Sequence, residues 1–414
     1  MNFLNAIRPL YILSRCLATT PYIPSFKPLR PLANRALNII HDLWTLAIVS
    51  LMMTGFVMCV QDVHIKLTEN PGQLMSHMFS TPTNFVSSIV DIIVMSTLNR
   101  NKILTLLNRM CKIDEMLYIA KHKGVYKKTE RYLIIQTLIV IIALVPLICY
   151  DIHSFWKFSN MTYEIISKLS VTVSIVTVIQ YVNLLKYLKD RLRVLNGHIS
   201  LNVVTSDVHQ QTVNKKSHPW QVMKQNTPPT SVLGSSYIPY RSQEIISNIF
   251  KYRMQYNEIF EASQLVNSVY GINILLAMLY CFVSTVTNAY FFFLDNVKNY
   301  DKLQSSVPAV DYYIITDIVW VAVALGKAAA ISISCHCVVE EMKTLSYIVQ
   351  KRQLYENLKE DISHNLEKFS YQLSTNKIQF TAFGFFTINL SFLYGFIASS
   401  VTYVIVLIQF NFKS

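Results

Sequence analysis

Four ionisable side chains lie inside long apolar stretches of this 414-residue chain: Asp91, Lys168, Asp317 and Lys327. In hydrocarbon such a group is costly unless it is paired or faces water, so each is a candidate site residue. Asp317 and Trp320 are three apart and share a helix face, which points a carboxylate acceptor and a stacking ring the same way. The chemistry on offer is recognition of a small molecule by hydrogen bonds, charge and stacking. Enzymatic motifs are missing: there is no Gly-x-Ser-x-Gly, no His-Glu-x-x-His and no glycine-rich nucleotide loop in a chain with only 9 glycines. Cys335-His336-Cys337 carries metal-ligand types, but a structural zinc site needs four ligands, usually as two separated pairs, and no second pair stands out. The expectation is no enzyme, no metal and no cofactor.

The elements that position these residues are helices in a membrane. Hydrophobic residues make up 52% of the chain and charged residues 15%, against about 25% charged in a typical soluble domain. Apolar runs near the length of about 20 residues that crosses a bilayer fall at 36–60, 76–98, 132–152, 163–186, 265–294, 312–334 and 384–410. The second is interrupted by Pro82 and Asp91. The predicted fold is all-α, a polytopic protein with seven transmembrane helices. The first 35 residues hold five basic residues and five prolines, which argues against a signal peptide and for an amphipathic helix over 3–18.

The net charge of +13 is distributed unevenly. Thirty Lys and Arg fall in the segments before span one and between spans two and three, four and five, and six and seven; five fall in the opposite connections and tail. The positive-inside rule then puts the N-terminus in the cytoplasm and the C-terminus outside, and reads the basic residues as a topology signal with membrane lipid as the partner, not nucleic acid. The sequon at Asn160 lies on the predicted outer side as a glycosylation candidate, whereas that at Asn389 lies within span seven. All seven cysteines fall in spans or on predicted cytoplasmic segments, so no external disulfide is evident.

In this orientation Lys168 and Asp317 both lie in the outer half. One reading is a ligand cavity there, walled further by Tyr150, Asp151, Trp156, Tyr163, Thr287, Asn288, Tyr290, Tyr313, Thr316 and Trp320. The other is a buried Lys168–Asp317 ion pair beside an ordinary interfacial aromatic belt. On the cytoplasmic side, helix-period stripes extend four spans: Leu185 to Ile199, Ile245 to Phe260, Val338 to Val349 and Ile362 to Leu373. They need partners, in the same chain or in neighbouring subunits. Residues 201–240, between the first two, read as a disordered polar loop. The organisation is therefore an N-terminal segment (1–35), spans one to four (36–190), a loop and helix extension (191–264), spans five and six (265–334), a helical anchor (335–383) and span seven with a short tail (384–414).

Span seven carries Gly395, Ser399, Thr402, Val406 and Gln409 in one narrow stripe, suited to a close helix contact or to the wall of a water-filled pore. It ends in Thr402-Tyr403, five hydrophobic residues, then Gln409-Phe410. That ending resembles the terminal signature of insect gustatory receptors, as do Arg8-Pro9-Leu10 to Pro21-Tyr22 and Val266-Asn267-Ser268-Val269-Tyr270-Gly271. The inverted seven-span pattern is similar over the whole chain. The resemblance implies a tastant-gated, non-selective cation channel in the plasma membrane of gustatory neurons, with span seven of four subunits lining one pore. It implies a gate at Gln409 and Phe410, with Thr402 and Tyr403 supporting the pore helix, and a homotetramer or a heteromer with related receptors. Bitter plant metabolites are the first expectation for the tastant; a sugar site built on Trp320, Asp317 and Asn288 is the alternative. From other classes, a G-protein-coupled receptor is opposed by the charge bias and a secondary transporter by the odd number of spans.

Overall fold

The computed structural model describes residues 3–21, 31–66, 79–119, 123–155, 161–214, 237–302, 310–355 and 359–413. The chain is almost wholly helical: α1 (Phe3–Cys16), α2 (Pro31–Lys66), α3 (Thr81–Ile93), α4 (Arg100–Met116), α5 (Lys123–Phe155), α6 (Met161–Asn214), α7 (Tyr237–Lys302), α8 (Val310–Tyr355), α9 (Glu360–Thr375) and α10 (Leu390–Lys413). A two-residue hairpin, β1 (Thr381–Ala382) with β2 (Phe386–Thr387), precedes α10. Six helices, α2, α5, α6, α7, α8 and α10, are long and apolar enough to cross a membrane. The expected second span falls on the shorter α3, which continues into one π-helical turn, Val94–Leu98.

That turn has local causes. Ser96 Oγ bonds the carbonyl of Ile92 four residues back, 2.5 Å away, and Thr97 does the same to Ile93, a competition that bends helices. Asn99 N donates to Val94 O at 2.8 Å, closing the wider ring, and its side-chain amide donates to Val269 O of α7 at 2.7 Å. The bend thus ends α3 against α7 and redirects the chain into α4.

Packing sorts the helices. α6 and α7, with α8 against them, form the centre, with buried positions along their described stretches, whereas α5 presents Ile135, Leu138, Ile139, Ile142 and Val145 outward on nearly every side. An apolar helix exposed all round is solvated by lipid. α1 is the amphipathic helix expected near the N-terminus: Ala6, Leu10 and Ser14 face inward at steps of four. At the basic end, the four predicted stripes meet in one core: Leu188, Leu192, Leu195, Tyr252, Tyr256, Val338, Leu345, Leu366 and Phe369 all belong to it. The stripes therefore find partners within one chain.

The same end is tied by a buried ion pair. Arg191 Nε donates to Asp114 Oδ1 at 2.7 Å and Tyr126 donates to Asp114 Oδ2 at 2.8 Å. The Tyr187 hydroxyl lies 2.9 Å from Oδ1 and 2.6 Å from Met110 O. Three helices, α4, α5 and α6, are registered on one carboxylate.

Two expectations need correction. Residues 384–389 are not the start of span seven: Phe383 (φ 50) and Gly384 (φ 82) turn left-handed, and helix begins only at Leu390. Asn389 caps it, its Oδ1 accepting from Phe392 N at 2.8 Å. The hairpin is pinned to α7, where Asn267 Oδ1 accepts from Thr381 N at 2.9 Å and Gly271 leaves room for the Phe383 backbone. The second correction concerns 201–240, where α6 runs on to Asn214 and α7 already begins at Tyr237; 215–236 lie outside the described residues.

Gly55 of α2 sits where a Cβ would come within 2.6 Å of Ile166 Cγ2 and 2.9 Å of Phe85 Cε1. Gly55→Val should cost about 1–3 kcal/mol by overpacking, read as a lower melting temperature of the detergent-purified protein. Gly124→Ala, with no neighbour within 4 Å, should leave it unchanged or slightly higher.

Candidate functional site

Three helices bring small polar residues to one place at steps of three or four: Ser80, Thr81 and Asn84 at the start of α3, Ser167 and Lys168 on α6, and Tyr280, Ser284 and Asn288 on α7. With Trp320 of α8 they line a cavity of about 110 Å³ in the half of the bundle away from the basic end. Lys168 Nζ stands 4.9 Å from the centroid of the Trp320 ring, within the range of a cation–π contact. Asn288 donates from its amide to Ser284 O at 2.7 Å, which turns that side chain along α7.

Below the cavity the polar lining continues as a ladder. Asn84 Nδ2 donates to Ser170 Oγ at 2.8 Å, and Ser88 Oγ donates to Ser170 O at 2.8 Å. One turn further, Lys327 Nζ donates to Ser174 Oγ at 2.7 Å and lies 4.6 Å from the Tyr280 ring centroid. Asp91 Oδ1 accepts from Asn273 Nδ2 at 2.7 Å, and Asp91 and Lys327 are near enough for their charges to interact. Asn84 is buried, and its Oδ1 has no hydrogen-bond partner among the described residues. The site thus combines Lys168 over the Trp320 ring with hydroxyls and amides from three helices, and Lys327 over the Tyr280 ring below it. It can hold a small molecule rich in polar groups.

Of the residues singled out in the sequence, Lys168, Asn288 and Trp320 line this cavity. Thr287, Tyr290 and Thr316 are buried beside it without lining it, and Asp317 is half-buried. Tyr163 instead packs in the core between α2, α3 and α6, 6.5 Å from the Phe85 ring. The side chains of Tyr150, Asp151 and Tyr313, and Trp156 and Asn160 altogether, lie outside the described residues. Sequence reasoning missed the hydroxyls and amides of α3 and α6, although the spacing of Ser80, Asn84 and Ser88 by fours was a readable signal. Around Cys335, the buried thiol sits 3.2 Å from the Tyr181 hydroxyl. Among the described residues no group of three or more His, Cys, Asp or Glu side chains is placed to hold a metal.

On α10, Phe396 and Ser400 face the bundle, and Phe282 of α7 meets the rings of Phe396 and Tyr403 edge-on at 5.8 and 5.6 Å. Gly395, Ser399, Thr402, Val406 and Gln409 lie roughly a third of a turn away and are all exposed, as is Phe410.

Residues 7–414 match the family model for the 7tm chemosensory receptor. The chain belongs to this family of chemosensory receptors. Three curated relatives of the receptor come from Drosophila melanogaster. Gustatory receptor 2a is 26% identical over 179 residues, 38% of this chain and 40% of that protein. Gustatory receptor for sugar taste 43a is 25% identical, over 36% of this chain and 32% of its own length. Gustatory and pheromone receptor 32a is 27% identical, over 40% and 33%. The match therefore spans about two fifths or less of each relative. In fold, the receptor is similar to the insect olfactory receptor OR5 of Machilis hrabei, with a TM-score of 0.62 at 13% identity over 97% of both chains. The same receptor in complex with eugenol gives 0.57. The chain is a multi-pass membrane receptor and not an enzyme.

Removing the Asp91 carboxylate leaves the Asn273 amide without its acceptor. Asp91→Leu should cost about 1–3 kcal/mol, seen as a lower melting temperature in detergent, while Asp91→Asn, which keeps an acceptor, should lose less.

Proposed function

We propose that this receptor is a subunit of a tastant-gated, non-selective cation channel of the gustatory neuron plasma membrane, with α10 of four copies lining the pore. The observation that carries this reading is the exposed stripe of α10. Only 11% of the most apolar stretch of that helix is buried in the chain, and its polar residues lie together on a free face. Hydroxyl and amide groups facing lipid gain nothing, whereas copies of the same face around an axis enclose water. Gln409 and Phe410 sit at the end of that stripe. Phe410 forms a hydrophobic constriction that gates by dewetting, and its withdrawal exposes Gln409 to the ion path. The N-terminus is cytoplasmic, as the thirty-to-five distribution of basic residues argues. Assembly is as a homotetramer or with related gustatory receptors.

The cavity at the outer half is the tastant site in this proposal. Its walls of Ser, Thr, Asn and Lys around one Trp favour a hydroxyl-bearing ligand of the sugar or polyol class over the bitter plant metabolites first expected. The partial likeness to a sugar-taste receptor is in keeping with this. Coupling runs through α7. Tyr280, Ser284 and Asn288 face the cavity, while Phe282, on the opposite face of the same two turns, grips Phe396 and Tyr403 of α10. A ligand that binds better when α7 shifts opens the pore in proportion to that difference in affinity.

Whole-cell recording from cells expressing the chain tests both parts. Sugars or polyols should evoke a cation current, Asn288→Ala should raise the half-maximal concentration about tenfold, the size of one lost hydrogen bond to a ligand, and Phe410→Ala should raise the resting current. A response to apolar bitter compounds alone overturns the ligand class. A G-protein-dependent response without ligand-gated current overturns the channel.

A further inference from the structure

A second and larger cavity, of about 540 Å³, opens at the basic end between α1, α4, α5 and α6. Its body is apolar, walled by Leu10, Leu106, Leu107, Leu133 and Leu184, and its floor is the Tyr270 ring, whose hydroxyl donates to Gln180 Oε1 at 3.3 Å. Its rim is basic. Arg191 is engaged by Asp114 and Arg193 by Glu341, and Asp190 also reaches the rim. Lys128 and Lys186 remain, Lys186 with its ammonium 3.0 Å from the centroid of the Tyr132 ring. Asn183 and Thr129 stand beside them, and Thr20 is among the lining residues.

We infer that this cavity binds an anionic glycerophospholipid, with its phosphate at Lys128 and Lys186 and one acyl chain in the apolar chamber. The position argues for a lipid. α5 is exposed to hydrocarbon almost all round, and its lysine-bearing first turns mark where that hydrocarbon gives way to headgroups. A chamber that is apolar at membrane depth and basic at the surface matches the two ends of such a molecule. The acyl chain gains no hydrophobic free energy by leaving the bilayer for the chamber, so preference among lipids comes from the headgroup charge. The tail would rest on Tyr270, the neighbour of the Gly271 that accommodates the hairpin before α10. Binding itself does not depend on the channel reading; only the choice of the cytoplasmic leaflet rests on the proposed orientation.

Native mass spectrometry of the full chain in detergent, titrated with phosphatidylinositol 4,5-bisphosphate, phosphatidylserine or phosphatidylcholine, provides the test. Both anionic lipids should bind at least tenfold more tightly than phosphatidylcholine. Lys128→Gln with Lys186→Gln should abolish that preference, Thr129→Trp, which fills the mouth, should reduce binding of every lipid, and Lys127→Gln, an exposed neighbour off the cavity wall, should change nothing. Monodisperse elution and an unchanged melting temperature identify the variants that fold. Equal binding of all three lipids, an equal loss with Lys127→Gln, or full competition by inositol 1,4,5-trisphosphate, which has no tail, each overturns the proposal.

Discussion

Hydrocarbon offers no hydrogen bonds, and that constraint arranges most of this receptor. Every polar side chain at membrane depth has to find its partner inside the protein or line a space that water or a ligand can enter. Helices with few such groups, above all α5, lie at the periphery with apolar residues turned outward. Helices that carry them converge. Asn84, Ser88, Ser170, Ser174, Lys327, Asp91 and Asn273 form one ladder through α3, α6, α7 and α8. The bend after α3 obeys the same rule, since Asn99 reaches across to a backbone carbonyl of α7. The polar cavity lies beyond one end of the ladder, and its hydroxyls and amides are what the proposed hydroxyl-bearing ligand would meet.

At the basic end water is near, and a costlier device becomes possible. The Asp114–Arg191 pair, with Tyr126 and Tyr187 completing the carboxylate's hydrogen bonds, is 2% and 6% exposed at the side chains. A buried pair of this kind contributes little net stability against an apolar replacement. What it contributes here is register: α4, α5 and α6 meet one carboxylate at one height. The four apolar stripes then close the core around α7, so the helical anchor forms within a single chain.

Much of this was legible in the sequence, because period and length are local properties. The six long spans, α1 and all four stripes follow from residues a few positions apart. The hairpin before α10 was not, since residues 384–389 are as apolar as a span. The partner that holds it, Asn267, is more than a hundred residues away and was noticed only as part of a motif. The cavity was half legible. Charge and aromaticity drew attention to Lys168, Trp320 and Asn288, which do line it, but also to Tyr163, which fills a core instead. The serines and asparagine that make most of its wall are individually unremarked in an apolar helix. Their meaning comes from repetition on three helices that only the fold brings together. Asp91 and Lys327 were recognisable as expensive, yet their partners, Asn273 and Ser174, lie 182 and 153 residues away.

The attachment of α10 sets how such a receptor can work. The helix is largely exposed on its own chain and is attached to it by the edge-on rings of Phe282, Phe396 and Tyr403, the Phe386–Phe392 stack and the buried Ser400. Close-packed interiors move as discrete bodies rather than deforming smoothly, so the ladder between α6, α7 and α8 behaves as a unit and α10 as its follower. The two cavities touch that unit at different heights: the outer one through Tyr280 and Ser284, the basic one through Tyr270, all on α7. Phe282 lies at the height of the first, between Tyr280 and Ser284 on the opposite face of α7. In the proposed channel, a shift of α7 at either cavity would reach α10 through the Phe282 ring contact or through the hairpin pinned at Asn267. In the proposed channel, an α10 that is mostly exposed on its own chain and sits on a rigid lever needs only a small movement to change which faces meet at the axis.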